Sequence, residues 1–201
     1  MKHTAYIIAL FLLVSCKPLM RKMYQIKDPG IESKASILKK ALRYGIDTSG
    51  ILTVNAADFL TTLSAQSLPD IAIFDSSGAY IEYRSTDSAC NSGLFDFIPA
   101  LHPNGVYRKT GKTNLHKELQ KLRDIDGNVI ATSDEKADFV LLIYWSVWLG
   151  KLNKDHVKVW EQLARQNKQC NIKVLKVNLD IQAFWPQETK TFILQSIRKP
   201  K

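Results

Sequence analysis

Cysteine and histidine are scarce in this chain, and their spacing argues against a metal centre. There are three cysteines and four histidines in 201 residues. None falls at C-x-x-C or H-x-x-x-H spacing, and His102, His116 and His156 are scattered, so no metal site is expected. No Ser-His-Asp order, dinucleotide fingerprint or phosphate-binding loop occurs. The nearest approach, residues 105–113, sets Gly105 and Gly111 one residue too far apart and does not join a clear strand to a helix. No cofactor is therefore implied. Internal repeats and low-complexity tracts are also missing. The most apolar run, residues 5–14, is too short to cross a hydrocarbon core, which takes roughly 20 residues.

What is present at the N-terminus is an address. Lys2 and His3 form a short basic start, the apolar run follows, and Leu13-Val14-Ser15-Cys16 closes it. This order fits a secretory signal, and its end resembles a lipobox, the aliphatic-x-small-Cys pattern of bacterial lipoproteins. The resemblance implies alkylation of the Cys16 thiol by a diacylglyceryl group and cleavage after Ser15, followed by acylation (palmitate) of the freed amine. Two or more chains anchor stably where one binds only marginally. Residues 1–15 are thus expected to be a signal peptide, 16–30 a lipidated cysteine with a tether, and 31–201 the domain. Lys17 is not the acidic residue that retains some lipoproteins at the inner membrane. The expected location is the cell envelope, on the outer membrane facing the periplasm.

The formal net charge is +9, and removal of residues 1–15 takes away Lys2 and no acid, leaving +8. Such a surplus favours solubility and attraction to anionic headgroups beside the anchor. Nucleic-acid binding would need a basic patch interleaved with aromatics or a known module, and neither is visible. With Cys16 assigned to lipid, Cys90 and Cys170 remain as an even pair in an oxidising compartment. A structural disulfide and two free thiols both stay open.

Along the chain the hydrophobic period alternates between helix and strand. Residues 33–44 read as a helix with Ile37, Leu38, Ala41 and Leu42 inward, stopped by Gly45. Asn55 is expected to cap a second helix carrying Phe59, Leu60 and Leu63. Residues 70–74 and 79–84 flank Asp75-Ser76-Ser77-Gly78, a hairpin signal, with Pro69 immediately before the first strand. Residues 85–111 look irregular. Asn114 starts another helix, Asp126-Gly127-Asn128 marks a turn, and residues 139–145 form a central buried strand. A helix at 153–168 with Val157, Trp160, Leu163 and Ala164 inward, a strand at 172–179 and a last helix at 186–197, with Phe192 and Ile193 inward, complete the pattern. The last third is a βαβ unit.

Trp145-Ser146-Val147-Trp148-Leu149-Gly150-Lys151-Leu152 resembles the thioredoxin active-site segment, in which an apolar strand runs into Trp-Ala-x-Trp-Cys-Gly-Pro-Cys and then a long helix. Residues 174–180, ending in Asp180, are similar to the family's second strand, and residues 122–128 to the lead-in hairpin of its membrane-anchored members. The match spans roughly residues 122–185, about a third of the chain. It implies an α/β thioredoxin-like domain, a central mixed sheet flanked by helices. Only about twenty residues follow the second strand, too few for the family's C-terminal hairpin with its cis-proline. The hairpin at 70–84, preceded by Pro69, is expected to supply it from the N-terminal side, in a permuted or rebuilt sheet.

The departures from the motif decide the expected chemistry. Leu149 and Leu152 stand where both redox cysteines belong, Lys151 replaces the proline between them, and Ile143 replaces the buried acid. The family's first thiol is activated at a helix N-terminus and its second resolves the mixed disulfide, and leucine does neither. The expectation is a redox-inactive binding or accessory protein without a catalytic residue. Its unidentified protein or peptide partner would use the vestigial surface of Trp145, Trp148, Leu149, Gly150, Lys151 and Leu152. The competing expectation is a thiol enzyme reactive toward disulfides or peroxide, with Cys90 attacking and Cys170 resolving. No nucleic-acid partner is expected under either reading.

Overall fold

A computed structural model describes residues 16–86, 90–130 and 136–198. The expected signal peptide, residues 1–15, lies outside the described residues. Among those described, no helix is long and apolar enough to cross a membrane.

The segment expected as a tether begins as a helix, α1 (Cys16–Tyr24). Gln25 ends it in the left-handed region at φ 56°, and the Ile26 amide donates back to the Arg21 carbonyl at 2.8 Å. This is the six-to-one closure of a helix C-terminus, here without the usual glycine. The short strand β1 (Ile31–Glu32) and α2 (Lys34–Tyr44) follow. Ser33 caps α2 by accepting from the Ser36 amide, and Gly45 at φ 75° closes it, both where the sequence puts them.

The chain then builds β2 (Ile51–Val54), α3 (Phe59–Ala65), β3 (Asp70–Asp75), β4 (Ala79–Ile81), α4 (Leu94–Phe97), β5 (Lys109–Asn114), α5 (Leu115–Lys121), β6 (Leu122–Asp124) and β7 (Phe139–Trp145). A π-helical turn (Asn153–Val157) leads into α6 (Lys158–Gln166), and β8 (Ile172–Asn178), β9 (Ile181–Gln182) and α7 (Gln187–Arg198) finish it. Seven strands form one mixed sheet in the order β5-β4-β3-β7-β8-β2-β6, while β1 pairs separately with β9.

The centre of this α/β sheet is compatible with a thioredoxin-like arrangement. β7 and β8 are parallel through seven paired positions, Phe139 with Ile172 to Trp145 with Asn178, joined by α6. On the other side of β7, the β3–β4 hairpin runs antiparallel, Asp70 opposite Tyr144. The Leu68–Pro69 peptide bond preceding it is cis. The hairpin therefore enters from the N-terminal side, as expected, and the chain ends in α7.

Period-two alternation in β7 serves two cores. Phe139, Leu141, Ile143 and Trp145 face α2, α4 and α6, packing with Ile37, Ala41, Leu94, Val157 and Trp160. Val140, Leu142 and Tyr144 face the other way, toward Phe59 of α3, Leu119 of α5 and Ile193 of α7. A strand covered on both faces has no polar side, which is why residues 139–145 read as one continuous apolar run.

Several local readings change. β2 was not legible, because four residues between Gly50 and Asn55 give too short a pattern. β5, Lys-Thr-Gly-Lys-Thr-Asn, lies within and just beyond a stretch expected to be irregular; as an edge strand it needs no apolar face. Asn55 does not cap α3 directly: its Oδ1 accepts from the Asp58 amide at 2.9 Å, and the helix starts after that turn. Leu42 and Phe192 point to solvent, at 67% and 62% exposure, because their neighbours Ala41 and Ile193 take the core positions.

Candidate functional site

The segment expected to resemble the thioredoxin motif, residues 145–152, is folded around leucine rather than sulfur. Trp145 is fully buried, Leu149 is 3% exposed, Gly150 is buried, Trp148 and Leu152 are half-buried, and only Lys151 is exposed. Beneath this loop lies a polar network that the sequence did not reveal. Asp180 Oδ2 accepts from the Val147 amide and from Asn178 Nδ2, each at 2.7 Å. The Ser146 hydroxyl donates to the Leu179 carbonyl at 2.8 Å, and Asn153 Nδ2 donates to the Ser146 carbonyl at 2.8 Å. Asp180 is 2% exposed, and burial first of all pushes its carboxyl up to about 7, against the hydrogen bonds from the Val147 amide and Asn178 that pull it down.

Above the loop sits the chain's own N-terminal segment. The Lys151 amide donates to the Tyr24 carbonyl at 2.7 Å, and the Lys27 amide donates to the Trp148 carbonyl at 2.8 Å. Contact is this close because residue 150 is glycine, at φ 59° and ψ −129°. A Cβ there would stand 2.2 Å from the Tyr24 oxygen and 2.5 Å from the Gln25 oxygen. The residues expected to form an exposed patch are thus mostly enclosed between Asp180 below and residues 24–27 above.

An open cleft of about 950 Å³ adjoins this loop on the α3/α5 face of the sheet. Its floor is Ala72, Tyr80 and Tyr144, its walls are Thr61 and Thr62 of α3 and Lys117, Glu118 and Lys121 of α5, and its mouth holds cis-Pro69, Cys90, Leu152 and His156. The acids in it are committed to internal partners. Asp70 pairs with Arg84 at 2.6 Å, both nearly buried, and accepts from the Tyr83 hydroxyl at 3.1 Å. Glu118 accepts from Thr113 at 2.5 Å and from Lys121 Nζ at 3.0 Å on each oxygen. Burial drives the hydroxyls of Tyr144 and of nearby Tyr83 well above the usual phenol range and that of Tyr80 to about 12, so these phenols stay protonated. Lys112 stands 5.8 Å over the Tyr80 ring. The side chains that converge here, Asp70, Tyr80, Arg84, Glu118 and Tyr144, were not singled out by sequence reasoning. An acid directly after Pro69 at a strand start was the one available signal.

The two thiols are free and far apart. Asn91 Nδ2 donates to the Pro69 carbonyl at 2.6 Å, which fixes Cys90 beside the end of β7 where Tyr144 pairs with Asp70. Cys170 precedes β8, whose first residue pairs with Phe139 at the opposite end, and its thiol donates to the Leu101 carbonyl at 3.3 Å. Seven residues of strand span about 20 Å, whereas bridged cysteines need Cα atoms within about 7 Å. The pair expected as a candidate disulfide is therefore unbonded in this fold. Cys90 is exposed, and the Ser92 hydroxyl at 2.9 Å holds its thiol below the ordinary value; burial pushes Cys170 above it. Among the described residues no group of three or more His, Cys, Asp or Glu could hold a metal ion.

No protein-family model matches the chain, and no curated protein or solved structure matches it significantly. The fold is thus defined by its topology, and the site by its own residues.

Proposed function

We propose that this chain is a redox-inactive thioredoxin-like lipoprotein, a binding or accessory protein of the cell envelope. Lipid on Cys16 would hold it to the outer membrane facing the periplasm, and its partner would be a protein or peptide. The observation that carries the reading is Leu149: at the position of an attacking thiol stands a core side chain, 3% exposed, under a loop closed by residues 24–27. A site rebuilt this way retains a shape and loses its electron chemistry. The open surface next to it, the cleft floored by Tyr80 and Tyr144, is concave, partly apolar and equipped with fixed donors, which suits recognition.

The test uses the full chain expressed in a bacterial envelope. Intact mass is expected to show a mature protein beginning at Cys16 with a diacylglyceryl adduct, and wild-type protein is expected to reduce no disulfide substrate. A photo-crosslinker at Lys117, in the cleft wall, should trap one discrete partner, while one at Lys168, exposed beyond α6, should not. Disulfide-reducing turnover by the wild type would defeat the reading.

One observation favours the thiol alternative: Cys90 is exposed at the mouth of the cleft with its thiol held low by Ser92. In that version Cys170 cannot resolve, being at the far end of the sheet, and the resolving thiol would come from a second molecule. Stable sulfenic acid at Cys90 after stoichiometric peroxide would support it.

A further inference from the structure

We propose that α1 is a membrane-interfacial helix whose exposed apolar arc docks on an anionic phospholipid surface. At 100° per residue, Leu19, Met20 and Met23 fall within one arc of about 100°, and all three are exposed, at 66%, 47% and 51%. Position 16 falls in the same arc, at the i, i+3, i+4, i+7 register that makes a single helix face. Positions 17 and 22, both lysine, flank this arc in helical register, where cationic residues favour anionic headgroups. Arg21, at the back of the helix, turns instead to Asp28 at 2.6 Å.

Two facts identify the occupant. Helices under about 12 residues are marginal in water, and the nine residues of α1 expose their apolar arc instead of packing it on the domain. Among the described residues, the hydrogen bonds that hold the helix lie at its C-terminal end: the Gln25 closure and the bonds of Tyr24 and Lys27 to the 148–151 loop. The apolar run of residues 5–14 ends one residue before the helix, and on the envelope reading the chain would reach a bilayer at residue 16, by the run itself or by the lipid on Cys16. The cover that chemistry and chain position both supply is the membrane itself, with Lys17 and Lys22 selecting anionic lipid. The 148–151 loop, hydrogen-bonded to the helix end, then stands beside the membrane, and the domain is held in one orientation rather than on a flexible leash.

This deepens the envelope reading without needing its lipid, and the experiment separates the two. Full-length protein purified from envelopes is reconstituted into vesicles of phosphatidylcholine alone or with phosphatidylglycerol, and trypsin cleavage after Arg21 and Lys22 is followed by mass. Cleavage is expected to be at least tenfold slower with phosphatidylglycerol at low salt. The protection should disappear at high salt and in the Leu19→Ser/Met23→Ser variant, whose altered positions are exposed and whose unfolding transition should match wild type. Equal cleavage rates in both vesicles overturn the proposal. A missing adduct on Cys16 would defeat the lipoprotein reading alone, since the contrast between vesicle types is measured equally well on protein without it.

Discussion

Gly150→Ala is the sharpest perturbation of the closed loop. The backbone at 150 has φ 59° and ψ −129°, a region that costs a residue with a side chain about 1–3 kcal/mol. The new Cβ would also sit 2.2 Å from the Tyr24 oxygen and 2.5 Å from the Gln25 oxygen, both backbone atoms that no rotamer change can move. Residues 24–27 must therefore leave, losing the Lys151–Tyr24 and Lys27–Trp148 hydrogen bonds, at about 0.5–1.5 kcal/mol each. The expected total is about 2–6 kcal/mol, which for a chain of this size lowers the melting temperature by at least about 4 °C. Urea unfolding followed by tryptophan fluorescence measures the loss, and hydrogen exchange at the Lys27 and Lys151 amides reports the released segment. Gly111→Ala is the control: nothing lies within 4 Å of its added Cβ, so the change should be near neutral. A loss below about 1 kcal/mol for Gly150→Ala, or a larger one with both amides still protected, would refute the account.

Asp180→Asn tests the buried acid. Its folded value, raised to about 7, lies above the unfolded one, so the native state binds the extra proton and this group's contribution falls as pH rises from about 4 to 7. The variant should flatten that slope and equal or exceed wild-type stability at pH 8; an unchanged slope would count against a titrating Asp180. Below about pH 4 the sign reverses in both proteins, because Asp47, at about 2 through its hydrogen bonds from Ser49, and Asp75 and Asp124, also held low, lose stabilising charge there. Glu161→Gln should cost about 3–5 kcal/mol in chemical denaturation, since it strips the partner at 2.9 Å from Lys176, buried with it; a cost under 1 kcal/mol would mean Lys176 finds water. Alkylation before reduction should modify Cys90 quickly and Cys170 slowly, and Ser92→Ala should slow Cys90 at neutral pH. Mass evidence of a Cys90–Cys170 bridge would contradict the sheet topology.

Periodicity carried most of the fold. Ser33 and Gly45 bracket α2, the Asp75–Gly78 turn joins β3 to β4, and the unbroken apolar run of β7 announces a strand covered on both faces, because each of these signals is local. Leucine rather than cysteine at 149 and 152 was equally plain, since a residue's identity needs no geometry to be read. β2 and β5 stayed hidden for a physical reason: one is too short to show a period, and the other is an edge strand whose pairing comes from its neighbour rather than from its side chains.

The sequence by itself determined which local elements this protein forms and that leucine, not cysteine, stands at 149 and 152. The tertiary structure alone decided what surrounds them. It buried Asp180 under Val147, laid residues 24–27 across Gly150, gathered Tyr80, Tyr144 and Arg84 from separate strands and loops into one cleft, and put Cys90 and Cys170 at opposite ends of the sheet. The first three join residues tens of positions apart and the last separates a pair, since spacing along a chain carries no measure of distance once a sheet has folded it back on itself.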